Sequence, residues 1–192
     1  MSGAQLRVGS DGVARCAWCG DDPLYTDYHD REWGTPLHDE RALFELLCLE
    51  GAQAGLSWIT VLRKRESYRL AFDGFDAERM AAYGPDKVGE LLLNPGIVRN
   101  RAKVGAFIKN AQALCAMHDA GDTLEQLVWS FAEPEPQRVQ PGDEVRATSP
   151  SSIALSKALQ RRGFGFVGPT IIYAYLQSTG VVDDHVEGCV HS

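Results

Sequence analysis

Short stretches of helical periodicity, separated by glycine and proline, limit the fold of this sequence more than any other feature. In the clearest stretch, Asp39 can cap a helix that runs to about Ala54 with a leucine stripe on one face. No run of alternating apolar and polar residues is long enough for a convincing strand, and no internal repeat is found. Further helices are expected over residues 58–72, 87–93, 100–117, 123–131, 151–159 and 169–177. These stretches predict an all-α fold whose helices are joined by short loops.

Length and composition are those of an ordinary globular protein. The chain has 192 residues, enough for one domain, and 44% apolar with 23% charged residues exclude a largely disordered chain. No run of about 18 apolar residues occurs, so no membrane-spanning helix and no membrane partner are expected. Residues 1–15 are polar and lack the apolar core of a signal peptide. They predict a disordered arm ahead of a folded domain at 16–192, in a cytoplasmic protein. Proline and charge mark 132–150 as a surface segment.

The net charge of −7 argues against a nucleic-acid partner, yet local features favour one. Residues 161–170 read RRGFGFVGPT, a glycine-rich hairpin between two expected helices. Its backbone N–H groups at a helix N-terminus can bind a phosphate without a positive side chain, as in helix-hairpin-helix DNA elements. The basic runs 63–65 and 99–103 can add phosphate contacts, and a solvated helix face is the alternative for each.

Cysteine and histidine stand close together at both ends of the chain. Cys16 and His29 lie near the start, and His185 and Cys189 lie near the end with three residues between them. Two thiolates and two imidazoles complete the tetrahedral shell of a structural zinc ion, which would tie down the chain ends. Cys19 leaves an alternative, because Cys16 and Cys19 form a Cys-x-x-Cys pair that could supply both thiolates. The other alternative is a set of ordinary thiols and surface histidines.

A carboxylate interrupts the leucine stripe of the first long helix. Glu50 continues the helical spacing of Leu43, Leu46 and Leu47, at a position where an apolar residue is expected. Carboxylates are seldom buried without a partner. Glu50 is therefore either a boundary residue that reaches water or part of a pocket for a polar or cationic ligand.

Aromatic residues are concentrated in the same part of the sequence. They are Tyr25, Tyr28, Trp33 and Trp58. Each is either a core residue or part of the wall of a pocket for a flat ligand, above all a nucleobase.

Several long segments resemble type I 3-methyladenine DNA glycosylases, the constitutive bacterial enzymes of that class. The most specific are YHDREWG at 28–34 and LEGAQAGLSWITVL at 49–62. The hairpin segment at 155–180 and VVDDHVEGC at 181–189 are also similar. Together with shorter matches, these segments cover most of residues 16–189.

The resemblance implies a helix-hairpin-helix DNA glycosylase fold with two helical lobes. It also implies base excision repair, in which 3-methyladenine, and 3-methylguanine as a second candidate, is removed from alkylated double-stranded DNA. The damaged nucleotide would be flipped out, and hydrolysis of its N-glycosidic bond would release free 3-methyladenine. A monomer is expected. The implied structural zinc ion would be held by ligands from both chain ends: Cys16, His29, His185 and Cys189.

The resemblance also implies roles for individual side chains. Glu50 would be the catalytic residue and would share the hydrogen bonding of the base with Tyr28. Trp58 would stack on the base, with Trp33 nearby. Leu56 would wedge into the duplex at the lesion. The positions of the phosphate-binding hairpin would be Gly165, Val167 and Gly168.

Asp183 is a departure from the pattern of type I enzymes. Superfamily relatives that cleave less activated bases carry a catalytic aspartate at this place, and type I enzymes are usually described as lacking it. Asp183 either assists the chemistry or shapes the loop that carries His185, and we expect the second role.

Two other classes of function are compatible with these residues. The chain could be a non-catalytic DNA-binding module, although a carboxylate inside an apolar stripe serves no purpose there. It could also be a small helical zinc protein that mediates protein contacts. A DNA affinity that does not change with salt would favour this class of function.

Overall fold

A computed structural model describes residues 3–132 and 138–191 of the chain. The described residues are mostly helical, as the sequence predicts. Their α-helices are α1 (Pro23–Arg31), α2 (Glu40–Gln53), α3 (Trp58–Leu62), α4 (Arg65–Ala71), α5 (Ala77–Ala81), α6 (Pro85–Leu93), α7 (Arg101–Asp119), α8 (Leu124–Trp129), α9 (Pro150–Arg161) and α10 (Pro169–Ser178). Of the surface segment expected at 132–150, residues 133–137 lie outside the described residues.

The N-terminal residues form a small antiparallel hairpin. In it, β1 (Leu6–Val8) pairs with β2 (Ala14–Cys16). Just before β1, Ala4 donates to the Asp143 carbonyl at 2.7 Å, so the hairpin is tied to the long surface segment. The structure differs here from the disordered arm that the sequence predicts for residues 1–15. Strands of three residues are too short to show a period of two, and the partner that holds them lies far away in the sequence.

Side-chain caps start several helices where the sequence predicts them. Asp39 accepts a hydrogen bond from the backbone at the start of α2, and Asn100 and Thr123 do the same for α7 and α8. α9 begins slightly earlier than predicted because Ser149 caps it, and Ser152 completes a capping box.

The helix predicted over residues 58–72 is divided into α3 and α4. The break falls at Arg63 and Lys64, where the backbone of Lys64 departs from regular helix geometry. The Lys64 ammonium donates to the Pro95 carbonyl at 2.8 Å, a tertiary contact that helical periodicity does not reveal.

α2 lies at the centre of the molecule and carries part of the candidate site. It packs against α3, α7, α8 and α10, while α5 and α6 pack on α7. Its side chains Leu43, Phe44 and Leu47 are fully buried. Close packing on several sides fixes the directions of the side chains in its C-terminal half. None of the described helices is long and apolar enough to cross a membrane.

Candidate functional site

Glu50 is buried in the C-terminal half of α2, with only 4% of its surface exposed. Its Oε1 accepts a hydrogen bond from the Ser178 hydroxyl at 3.1 Å, and its Oε2 has no hydrogen-bond partner among the described residues. Burial raises the pKa of Glu50 to about 8. These observations exclude a boundary carboxylate that reaches water. A ligand with hydrogen-bond donors or positive charge would favour the ionised carboxylate and satisfy Oε2.

Ser178 is a polar residue of the site that the sequence did not single out. It ends α10, and its hydroxyl also lies 2.9 Å from the Ala174 carbonyl and 3.2 Å from the Tyr175 carbonyl. A serine hydroxyl has one hydrogen, so its bond to Glu50 competes with these two helix carbonyls. The only sequence signal for Ser178 is a serine within an otherwise apolar helix.

Tyr28 lies close to this carboxylate, and Trp58 packs against Tyr28. Tyr28 is buried on α1, Trp58 is buried at the start of α3, and their ring centroids are 5.5 Å apart. Burial, and then the negative charge of Glu50, raise the pKa of Tyr28 well above its ordinary value, so Tyr28 keeps its proton. The indole Nε1 of Trp58 is buried without a hydrogen-bond partner among the described residues. We refer to Glu50, Tyr28, Trp58 and Ser178 as the Glu50 pocket.

A surface cleft of about 200 Å³ is lined by Tyr28 and Ser178, two members of the Glu50 pocket, and by residues that include Thr35, Leu46 and Arg65. The Glu50 pocket therefore combines aromatic rings, a buried carboxylate and two unsatisfied polar atoms beside a surface cleft. This composition suits a flat, polar or cationic heterocycle.

The structure places Trp33 beside the Cys/His cluster, not in ring contact with Trp58. Its ring centroid is 4.6 Å from that of His185, and its carbonyl lies 3.0 Å from the Nε2 of that histidine. Trp18, which the sequence did not single out, bridges the two regions, with its ring centroid 4.9 Å from Trp33 and 6.4 Å from Tyr28. In the sequence Trp18 lies between the two cysteines of CAWC, and there only the cysteines indicated a functional site.

The four metal-ligand candidates from the two chain ends come together. Cys16, His29, His185 and Cys189 are all buried, and their ligand atoms all lie within 4.8 Å of one another. The Cys189 sulfur is 3.4 Å from His29 Nε2 and 3.6 Å from His185 Nδ1. Cys19 is outside this group, with its sulfur directed at the Cys16 carbonyl at 3.2 Å. Between the two ligand sets that the sequence left open, the geometry assembles the one without Cys19.

Neighbouring residues orient the two imidazoles of this cluster. His29 Nδ1 lies 2.8 Å from an Asp30 carboxylate oxygen, and Asp30 in turn accepts hydrogen bonds from Arg15. His185 Nε2 faces the Trp33 carbonyl. Each histidine therefore has one ring nitrogen next to an oxygen and the other next to the thiols, the arrangement found in metal-bound histidines.

Gly34 leaves the space that the His185 ring occupies. Its φ is 78°, and a side-chain carbon at this position would lie 2.6 Å from His185 Nε2. Asp183 accepts a hydrogen bond from the His185 N–H at 3.0 Å. Both contacts help to set the conformation of the loop that carries His185, and the role of Asp183 in shaping this loop stays a prediction.

The glycine-rich hairpin is present, but its backbone groups are not equally free to bind a phosphate. The Gly165 N–H already donates to the Asn110 side chain at 2.7 Å, so it is not free for a phosphate. Val167 is buried, and its carbonyl accepts from the Ser156 hydroxyl at 2.6 Å. Gly168 caps α10 without a side-chain cap, and a side-chain carbon there would meet nothing within 4 Å. Of the three hairpin residues, Gly168 offers the open approach that an anion needs.

Leu56 lies on the exposed turn between α2 and α3. It is 40% exposed and follows Gly55 with its φ of 77°. The basic runs contribute less free charge than the sequence predicts. Arg65 pairs with Glu32, and Lys103 is buried beneath the Leu56 turn.

Replacement of Glu50 by glutamine should change the pH dependence of stability. The pKa of about 8 in the folded state lies above the ordinary value of 4.5, so the folded state binds the extra proton and loses stability as pH rises between these values. Glu50→Gln removes this loss. We expect its free energy of unfolding to rise relative to that of the parent from pH 5.5 to 8, by on the order of 3 kcal/mol over this range.

Urea unfolding at several pH values would measure this difference. Glu90→Gln, at an exposed site on α6, is the matched control and should show no such trend. If the difference in the free energy of unfolding between Glu50→Gln and the parent is the same at pH 5.5 and pH 9, Glu50 is not a buried carboxylate with a raised pKa.

Comparisons with known proteins show the family of the chain. The model of the methyladenine glycosylase family matches residues 18–192. DNA-3-methyladenine glycosylase 1 of Escherichia coli (strain K12) is 50% identical over 179 residues, which cover 92% of this chain and 96% of that protein. DNA-3-methyladenine glycosylase of Haemophilus influenzae (strain ATCC 51907 / DSM 11121 / KW20 / Rd) is 48% identical over 179 residues, which cover 92% of this chain and 97% of that protein.

Solved structures agree with this result. A crystal structure of 3-methyladenine DNA glycosylase I superposes with a TM-score of 0.88 at 51% identity, covering 92% of this chain and 98% of the other. The Staphylococcus aureus enzyme, studied for its recognition of 3-methyladenine, superposes with a TM-score of 0.87 at 35% identity, covering 92% and 95%. Fold and pocket thus define a mostly helical protein of the DNA glycosylase class. The chain belongs to the methyladenine glycosylase family, which confirms the resemblance noted in its sequence.

Proposed function

We propose that this protein removes 3-methyladenine from alkylated double-stranded DNA by hydrolysing the N-glycosidic bond, as a step of base excision repair. The observation that carries the proposal is the buried Glu50 carboxylate with its unsatisfied Oε2 in an aromatic pocket. The relatives named above are called DNA-3-methyladenine glycosylases, and one was studied for its recognition of 3-methyladenine. A second candidate substrate is 3-methylguanine.

The chemistry of the lesion explains why the pocket needs so few groups. Methylation at N3 makes adenine formally cationic, so the bond to the sugar is already weakened. When this bond breaks, its electron pair leaves with the base, which departs neutral. A water molecule forms the new bond to the sugar carbon and gives up a proton. The enzyme then has to extrude the nucleotide and bind the base, with little acid catalysis.

Discrimination against normal adenine is the harder task for this pocket. Glu50 accepts a hydrogen bond from the exocyclic amine of the methylated base, and its negative charge favours the cation before cleavage. The Tyr28 hydroxyl supplies a further hydrogen bond, and the Trp58 ring stacks on the base and adds a cation–π attraction. Neutral adenine gains less from a dry carboxylate than a cation does, so it is bound less well.

The donor set at the chain ends fits a zinc ion. Cys16 and Cys189 would supply two thiolates, and His29 and His185 would supply two imidazole nitrogens. Four protein ligands leave no open position for a substrate or a reactive water, so zinc would serve the structure. It would join the N-terminal hairpin and the C-terminal loop of a glycosylase domain with two helical lobes.

We expect the protein to act on DNA as a monomer in the cytoplasm. Binding to the duplex would use Gly168 at the N-terminus of α10 for a phosphate and Leu56 as the wedge at the lesion. Both positions are open in the structure, as their roles require.

Gly168→Asp should weaken DNA binding without disturbing the fold. The Cβ of the new aspartate would meet nothing within 4 Å in the protein, and Gly168 has an ordinary negative φ. Its carboxylate would instead repel the phosphate and block the helix N-terminus. We expect affinity for undamaged duplex to fall roughly tenfold or more. Fluorescence anisotropy against Gly89→Asp, which adds the same charge on exposed α6, measures the effect. Equal affinity of the two variants would remove the hairpin from the DNA interface.

Release of bases from methylated DNA is the experiment that tests the proposed function. Duplex DNA treated with a methylating agent is incubated with the protein, and the free bases are separated by chromatography. We expect 3-methyladenine in the supernatant and no adenine. If DNA is bound but no base is released, the protein is a DNA-binding module and the proposal is wrong.

A further inference from the structure

Two buried polar side chains on α7 lie outside the Glu50 pocket and have no role in the chemistry above. Lys103 is 9% exposed and Asn110 is 2% exposed. They are seven residues apart in the sequence, so they share one face of the helix at a spacing of about 10 Å. Burying an ammonium group is costly unless it has good partners, which directs attention to what these side chains hold.

Lys103 holds the end of α2. Its Nζ donates to the carbonyls of Ala52 and Ala54, both at 2.7 Å. Carbonyls in the last turn of a helix lack partners within the helix, and a cation there is favourable. The next two residues are Gly55, with its positive φ, and the exposed Leu56. Lys103 therefore fixes the backbone from which Leu56 projects.

Asn110 holds the hairpin. Its side-chain oxygen accepts from the Gly165 N–H at 2.7 Å, and its amide donates to the carbonyl of the same residue at 3.2 Å. The hairpin also packs tightly on α2, where a side-chain carbon at Gly51 would lie 3.2 Å from that of Phe166. Lys103 and Asn110, on one face of α7, thus bind the Leu56 turn and, two helical turns further on, the hairpin.

We propose that Lys103 and Asn110 are positioning residues that set the spacing between the Leu56 wedge and the phosphate-binding hairpin. This inference rests on the proposed function, because it assigns a task to two residues through elements that contact DNA. Lys103 serves extrusion by holding the wedge, and Asn110 serves duplex binding by holding the hairpin. Neither touches the base, so free-base binding does not depend on them.

Lys103→Met tests the first half of the inference. It keeps the length of the side chain and removes the donors to both carbonyls. We expect release of 3-methyladenine from methylated duplex to slow roughly tenfold, while release from methylated single strands changes little because no wedge is needed. Lys103→Arg can still donate to both carbonyls and should recover most of the duplex rate. Lys109→Met, on the exposed side of the same helix, is the matched control.

A double variant shows whether Lys103 acts through Leu56. If it does, Lys103→Met should slow a Leu56→Ala protein very little further, since both changes affect the same wedge. A duplex rate for Lys103→Met equal to the parent's, or effects that multiply in the double variant, would overturn the inference. A parent that releases no 3-methyladenine would instead be a failure of the proposed function. If Lys103→Met does not fold, Lys103→Gln, which keeps N–H donors on a shorter side chain, carries the test, and its expected loss of duplex rate is smaller.

Asn110→Leu tests the second half. It removes both hydrogen bonds to Gly165, and we expect affinity for undamaged duplex to fall roughly tenfold while affinity for free 3-methyladenine stays within about twofold of the parent. Asn110→Gln keeps both an acceptor and a donor on a longer side chain, so its loss should be smaller. This second variant also serves if Asn110→Leu does not fold. Duplex affinity equal to the parent's, or an equal loss of duplex and free-base affinity, would overturn the assignment of Asn110.

Discussion

Removal of the proposed zinc ion is expected to destabilise this protein more than any single surface substitution. The proposed ligands are buried and come from the two ends of the chain, so loss of the metal leaves thiols and imidazoles packed together without a partner. Structural zinc binding is worth many kcal/mol at neutral pH, and most of it appears as folding free energy. We expect treatment with a strong chelator to lower the midpoint of thermal unfolding by on the order of 10 °C or more.

Cysteine variants separate the proposed ligand set from its alternative. Cys16→Ser should lose most of the bound zinc, whereas Cys19→Ser should keep about one ion per chain, because its sulfur faces a backbone carbonyl. Cys115→Ser, outside the cluster, is a further control. Elemental analysis of freshly purified protein makes the measurement. Absence of zinc from the parent, or equal loss from Cys16→Ser and Cys19→Ser, would contradict the proposed site.

Local rules explain which parts of the fold could be predicted from the sequence. Asp39, Asn100 and Thr123 cap their helices where expected because a capping bond involves residues only two or three positions apart. Glu50 could be singled out for a similar reason, because the apolar stripe of α2 depends only on the spacing of nearby residues. The Cys/His cluster could be proposed because its ligands are chemically distinctive, although the choice between Cys16 and Cys19 needed the fold.

Features that depend on distant parts of the chain could not be predicted. The sequence places Lys103 in a basic run, and only the packing of α7 under the end of α2 shows that its ammonium is buried. The Gly165 N–H is occupied by Asn110, which lies on another helix. Trp33 follows the tyrosines of α1 in sequence, yet it packs on His185 from the far end of the chain. In each case a tertiary contact decides the role, and no local pattern encodes it.

Glu50→Gln should weaken the binding of free 3-methyladenine strongly. The carboxylate offers only acceptors to the donors of the base, and it carries the negative charge that favours a cation. Glutamine has nearly the same size but turns an N–H₂ group towards part of the ligand, leaving a mispaired polar group in a dry pocket. The cost of such a group is on the order of 1–3 kcal/mol, so we expect roughly 5- to 150-fold weaker binding.

The effect of this substitution on excision should be smaller than its effect on binding. The lesion is intrinsically labile, and part of the rate enhancement comes from extrusion, which Glu50 does not control. Zinc content and helical structure should not change. Glu90→Gln, the same change at an exposed position, should bind the base as the parent does.

Calorimetric titration of free 3-methyladenine into the parent and Glu50→Gln tests the central claim most directly. No DNA is involved, so the result depends on the Glu50 pocket and not on the wedge or the hairpin. The account predicts saturable binding of one base per chain by the parent and the loss of affinity given above for the variant. Equal affinity of the two proteins for the base would contradict it, because Glu50 would then take no part in reading the methylated base.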